Sequence, residues 1–319
     1  MKDSNYLISL RNDTGDGTPG TDFSSTTYIQ IDPNSDDYNL KKDQLGQSKW
    51  VQDIITIANN GPVIVFVHGF HNDSKNIVEL HNNVKEGLAD NFKTNSFALI
   101  SFDWPSSTKI AVYTHDWNNV KKSGPILISG CIELLMAAGI PSAKIHILTH
   151  SMGGRVAEAA FEITPPSKRI GHVMLTAADI DATHYDIANN SIILTNFVNH
   201  STSFTSYHSA NDLALKYSCK HHSDLPQHGE TRLGQIGFNK NTTDGFTKCL
   251  DISCCKYYED HVQKIDSSSI TSHKWYLMPE FDLDFMQDVY NVLIGSQDFP
   301  NRSTTVDKGR YLLNKPNKE

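Results

Sequence analysis

The segment Lys144-Ile145-His146-Ile147-Leu148-Thr149-His150-Ser151-Met152-Gly153-Gly154-Arg155 passes from a β-branched apolar run, through a serine, into a helix-forming stretch. A serine on a tight strand-to-helix turn takes a strained backbone conformation, and its neighbours must be small for strand and helix to approach. Gly153 and Gly154 meet that need. Thr149 stands where the G-x-S-x-G pattern has its first glycine. On this segment alone an ordinary helix N-cap serine accounts for Ser151 equally well.

A second apolar run lies upstream, Pro62-Val63-Ile64-Val65-Phe66-Val67-His68-Gly69-Phe70, and it ends in His-Gly-aromatic. Acyl transfer makes a carbonyl oxygen negative, and backbone N–H groups aimed at that oxygen stabilise it. Met152, directly after the serine, would supply one donor, and Phe70, in the loop after the upstream strand, the other. Gly69 permits the backbone geometry such a loop requires. A parallel strand followed by a glycine turn explains the apolar run, but not its recurrence with a serine turn one strand-helix-strand unit later.

Further motifs follow in order: Phe102-Asp103-Trp104-Pro105-Ser106 with Tyr113 and Asp116, Ala178-Asp179-Ile180-Asp181, Asn211-Asp212-Leu213-Ala214-Leu215, Arg232-Leu233-Gly234, and Ser272-His273-Lys274-Trp275-Tyr276. Taken with the two segments above, the chain resembles an α/β-hydrolase. More narrowly it resembles a bacterial esterase/lipase-like branch known mainly as a domain of unknown function. The resemblance runs from about Val63 to Tyr276, and its strength lies in the collinear agreement of motifs that are each weak alone. Ala177-Ala178-Asp179 replaces the usual Ala-Pro-Asp and Thr149 a smaller residue; neither change removes a catalytic group. The implied fold is a mostly parallel central sheet with helices on both faces and an irregular, lid-like insertion.

Strand and helix signals alternate in the order that fold requires. Strand candidates occupy 6–10 and 26–31 with a turn-rich loop at 12–21, and a helix covers 44–58. The core continues as strand 63–67, helix 75–92, strand 97–102, helices within 113–138 broken at Gly124-Pro125, strand 144–149, helix 152–162 and strands 172–176 and 203–208. A long insertion, a strand near 262–266 and a helix over 281–294 close the chain. Residues 1–60 are thus expected to lead into a hydrolase domain at 61–319 with its insertion at 213–269, as one structural domain.

The fold orders its triad as Ser, then Asp or Glu, then His. Ser151 comes first. Asp212 follows strand 203–208 by a short loop, where the acid is expected; Asp179, after the preceding strand, is the alternative. His273, in the loop after the last strand candidate and before the C-terminal helix, is the expected base, whereas His261 lies on the wrong side of that strand. His68 and His150 are expected to support the oxyanion loop and the turn, and Trp104 to form a pocket wall or plain packing. Tyr113 and Asp116 would line the cleft or cap a helix. Arg232 suits a structural ion pair or a substrate anion.

With 319 residues the chain can bury one substantial core, and no apolar stretch approaches the roughly 20 residues needed to cross a bilayer. The opening residues lack a signal peptide's apolar core, so a cytoplasmic location is expected. A net charge of -8 argues against a nucleic-acid partner. The five cysteines have no Cys-x-x-Cys pair. Cys219, His221, His222, His228, Cys249, Cys254, Cys255 and His261 crowd the insertion, but their irregular spacing argues against zinc, so neither metal nor cofactor is expected. The expectation is a serine hydrolase of small-molecule or lipid carboxylic esters. Acyl transfer, thioester or amide hydrolysis through the same residues and a lipid-directed antibacterial effector remain alternatives, and oligomeric state is not legible.

Overall fold

The computed structural model describes residues 4–92, 96–107, 113–163, 168–189, 191–221 and 231–315. An antiparallel hairpin opens the chain, β1 (Asn5–Asp13) and β2 (Pro19–Ile31), followed by α1 (Gln47–Ala58). Next come β3 (Val63–Val67), α2 (Ser74–Phe92), β4 (Ala98–Asp103), α3 (Tyr113–Ile126), a π-helical turn (Leu127–Ile132) and α4 (Glu133–Ala137). The centre is β5 (Ile145–His150), α5 (Gly153–Phe161), β6 (Ile170–Thr176), α6 (Ile192–His200) and β7 (Ser201–His208). After it stand α7 (Leu213–His221), α8 (Leu233–Ile236), α9 (Lys240–Gly245), β8 (Cys249–Ser253) and α10 (Cys255–Tyr257). The chain ends with α11 (Ser269–Lys274), α12 (Leu283–Leu293), β9 (Arg302–Thr304) and β10 (Arg310–Leu313).

All strands join one sheet in the order β2-β1-β4-β3-β5-β6-β7-β8-β10-β9. Only β2 and β9, at the two edges, run antiparallel to their neighbours. Continuous apolar strands are what a sheet covered on both faces demands, and β3 shows the consequence residue by residue. Val63, Val65 and Val67 enter the core beneath α1, α3 and α5, while Ile64 and Phe66 enter the one beneath α2 and α12. Among the described residues no helix is long and apolar enough to cross a membrane.

Five expectations are corrected. The turn-rich stretch 12–21 is largely the tip and second strand of the hairpin. Gly124-Pro125 does not break its helix: Pro125 lies inside α3, and the π-helical turn directly follows it. Gly124 serves packing instead, since a Cβ there would meet the backbone of Ala159 and Ala160 on α5 at 2.6 Å. The 213–269 stretch is not all lid, because β8 pairs with β7 inside the central sheet. No strand forms at 262–266; Val262 ends a π-helical turn, and His273 lies on α11 rather than in a loop.

Candidate active site

Ser151 sits between β5 and α5 with φ 53°, in the left-handed region that non-glycine residues rarely adopt. The surroundings hold that strained turn at both ends. Its N–H donates to the Thr176 carbonyl (3.0 Å), and its own carbonyl accepts from Gly154 (3.0 Å) and Asp179 (3.1 Å). Gly153 is obligatory here, because a Cβ would fall on the Val67 carbonyl oxygen of β3. Thr149 fits where the pattern prefers glycine because it is fully buried and its hydroxyl reaches the Met174 carbonyl at 3.3 Å on β6. The Met152 N–H has no partner among the described residues.

Asp212, in the turn just before α7, meets His273 on the neighbouring α11. His273 Nδ1 lies 2.6 Å from Asp212 Oδ2, while the other carboxylate oxygen accepts the Leu215 N–H at 2.9 Å in the first turn of α7. Ser272 Oγ accepts the Leu213 N–H at 3.1 Å, which fixes α11 against α7. From below, His150 Nε2 donates to the His273 carbonyl at 2.9 Å, and the two rings sit 4.7 Å apart. Burial, then the neighbouring His273, pushes the His150 pKa well below its ordinary value, so this histidine is a neutral donor. With Nδ1 engaged by the carboxylate, Nε2 is the ring nitrogen left to His273 for proton transfer.

The loop after β3 packs directly on the serine: a Cβ on Gly69 would lie 2.7 Å from Ser151 Cβ. His71, next along, takes φ 64°. Asn72 Nδ2 ties the loop into a closed turn through the Gly69 (2.9 Å) and Phe70 (3.1 Å) carbonyls. His68 is buried with Nδ1 2.7 Å from the Gly69 carbonyl and Nε2 3.0 Å from Asp103, and its ring stacks on Trp104 at 8° between planes. Trp104 Nε1 donates to the His68 carbonyl at 2.8 Å, so this tryptophan is a support of the loop. Burial alone would raise the Asp103 pKa, but Arg11 and His68 outweigh it and hold the carboxyl at about 2.

Asp179 is committed elsewhere. Arg232 Nε lies 2.9 Å and Arg155 4.0 Å from its carboxylate, and Ser218 Oγ donates to both oxygens. Burial opposes ionisation of Asp179, yet Arg155 and Arg232 leave its pKa below the ordinary value. Arg232 is therefore engaged in an ion pair. Asp116 accepts the Ser107 N–H at 2.8 Å, a cap of the post-β4 loop, and the Tyr113 side chain lies outside the described residues. His222, His228 and the His221 side chain also lie outside them; among the described residues no group of three His, Cys, Asp or Glu side chains is placed to hold a metal. Sequence reasoning missed Arg11, Ser9 and Tyr38, whose partners around the loop are far away in the chain, Asn72, which closes the loop on itself, and Ser218 on Asp179. For Asp103, a carboxylate ending a buried strand was the available signal.

Residues 43–280 match the model of the family described as "Alpha/beta hydrolase of unknown function (DUF900)", and the chain belongs to that family. It is an alpha/beta hydrolase. No curated protein sequence matches it. Solved structures similar in fold include the ydeN gene product from B. subtilis, at 10% identity over 60% of this chain and 84% of that one, with a TM-score of 0.33. Another is a hyperthermophilic esterase from the archaeon Pyrobaculum calidifontis, at 10% identity over 73% and 76%, TM-score 0.36. A third is 2,6-dihydroxy-pseudo-oxynicotine hydrolase, at 13% identity over 75% and 63%, TM-score 0.39.

Proposed function

We propose that the chain is a serine hydrolase of carboxylic esters, with Ser151 as nucleophile, His273 as general base and Asp212 as the acid that orients it. The observation that carries this reading is the 2.6 Å bond between His273 and Asp212, with the His273 carbonyl bonded by His150, the residue before a serine held at φ 53°. Ser151 Oγ attacks the ester carbonyl carbon while His273 Nε2 takes its proton. The carbonyl electrons move to oxygen, where the N–H groups of Phe70 and Met152 stabilise the charge. Collapse expels the alcohol, which receives the proton from His273 and leaves Ser151 acylated. Water then repeats the sequence against the acyl-enzyme and releases the acid. Small-molecule or lipid esters are the substrate class, and no step draws on a cofactor.

A fluorophosphonate should label Ser151 in the wild-type chain, and a chain-length series of p-nitrophenyl esters should be hydrolysed. Ser151→Ala should abolish labelling and turnover without moving the thermal midpoint by more than a few degrees. Full labelling of the alanine variant would remove Ser151 from the mechanism.

A further inference from the structure

Arg11 lies on β1 just past the last β1–β4 pairing, Ser9 with Asp103, so its side chain runs under the loops that leave β3 and β4. It is 3% exposed, and all three nitrogens of its guanidinium are used. Nε lies 2.9 Å from both oxygens of Asp103. Nη1 donates to the carbonyls of Gly20 on β2 and Ser106 after β4, each at 3.1 Å. Nη2 donates to the Asn72 carbonyl at 2.9 Å and, at 3.4 Å, to that of Trp104. One planar, rigid cation therefore joins the N-terminal hairpin, the post-β4 loop and the loop carrying Phe70. Asp103 completes the circuit by accepting from His68, from Ser9 Oγ at 3.2 Å and from the Tyr38 hydroxyl.

We propose that Arg11 is a positioning residue for oxyanion stabilisation, holding residues 68–72 in register with Ser151 from the N-terminal hairpin. The proposal rests on the serine-hydrolase reading, in which the Phe70 N–H faces the developing oxyanion. The physical case is one of geometry. A lysine keeps the charge opposite Asp103 but has a single ammonium, which cannot reach the Gly20, Ser106 and Asn72 carbonyls together as a guanidinium fork does. Burying such a pair adds little net stability, so its use is specification of a unique loop arrangement. A displaced oxyanion donor weakens transition-state binding far more than ground-state binding, so the loss should fall on kcat.

The test compares the full-length wild type with Arg11→Gln and Arg11→Lys, at a temperature well below each variant's thermal midpoint. Fluorophosphonate titration counts competent serines, so that kcat is expressed per active site. Both variants should lose roughly 100-fold in kcat per site with KM changed less than threefold. Hydrogen exchange should accelerate at least tenfold in peptides covering 68–73 and stay unchanged in those covering β5 and α5. A purely structural role would lower the number of titrated sites and leave turnover per site unaltered, and that result overturns the proposal. So does an Arg11→Lys variant that matches wild type, because charge would then suffice. Should Arg11→Gln not fold, the lysine variant decides by the same two readings. If the wild type neither labels nor hydrolyses esters, the serine-hydrolase reading fails, and unchanged exchange at 68–73 would independently refute the brace.

Discussion

Asp212 Oδ2 and His273 Nδ1 form a 2.6 Å hydrogen bond across 61 residues of chain. Nothing local brings them together. Asp212 is presented by the tight turn after β7, where its N–H bonds the Ser209 carbonyl at 3.1 Å. His273 is presented by α11, whose first turn is capped by Ser268 on the Thr271 N–H. The serine hydroxyl that caps Leu213 comes from Ser272, so the residue beside the histidine anchors the helix beside the aspartate. Carboxylate and imidazole are thus held by a shared backbone-to-side-chain contact, which limits how far the imidazole can drift from Asp212.

Asp212 and Asp179 should separate cleanly on mutation. Asp212→Asn is expected to lower kcat by roughly 10⁴-fold with little change in KM, because the neutral amide no longer holds the imidazole's tautomer or stabilises the imidazolium. Asp179→Asn should change turnover per folded molecule far less. Its cost appears in stability, about 3–5 kcal/mol, because Arg155 and Arg232 are buried and would lose their common counter-charge. Urea denaturation and steady-state kinetics on both variants give the ranking. The reverse ranking would move the acid to the end of β6.

The two glycines of the serine turn, Gly153 and Gly154, should differ as sharply. Gly153→Ala puts a methyl on the Val67 carbonyl of β3, backbone that cannot swing aside, and should destabilise by roughly 3 kcal/mol or prevent folding. Gly154→Ala meets the Ala178 methyl at 3.3 Å, a contact relieved by a few tenths of an ångström, and gains helix propensity within α5. Its thermal midpoint should fall within a few degrees of wild type. Equal losses in the two would mean that α5 sits further from β3 than its observed packing.

The parts of this molecule legible in its sequence are those with local physical signatures. β3 and β5 are apolar runs, α2 has a clear helical period, and the serine turn betrays itself by its glycines. Asp212 and His273 were reachable through chain order, which does not require knowing the structure between them. β8 escaped because Cys-Leu-Asp-Ile-Ser is short and carries Asp251, whose buried carboxylate is satisfied by Phe238 N–H, His208 and Arg310 from other segments. The strand expected at 262–266 rested on too short a signal, and the chain there completes a π-helical turn. Arg11 was invisible for a related reason: its Asp103 partner is 92 residues away, and a lone arginine near a strand end reads as solvated.

Asp282 offers a test of the other face of the sheet. It precedes α12, is 3% exposed, and its Oδ2 has no hydrogen-bond partner among the described residues. Burial first, with help from Glu280 and Asp90, pushes its pKa up to about 7. The folded chain therefore keeps this proton between about pH 4 and pH 7, where the unfolded chain has released it. A folded state that binds more protons than the unfolded one loses stability as pH rises, so the contribution declines across that window and is flat above it. The upper limit is roughly 4 kcal/mol, from the distance between 3.8 and about 7 at about 1.4 kcal/mol per pH unit. Asp282→Asn removes the titration. Urea midpoints taken from pH 4 to pH 8 should show the variant gaining on wild type as pH rises and standing clearly above it at pH 8. A difference that does not vary with pH would mean that the carboxyl ionises normally, and that water reaches the junction of α2 and α12.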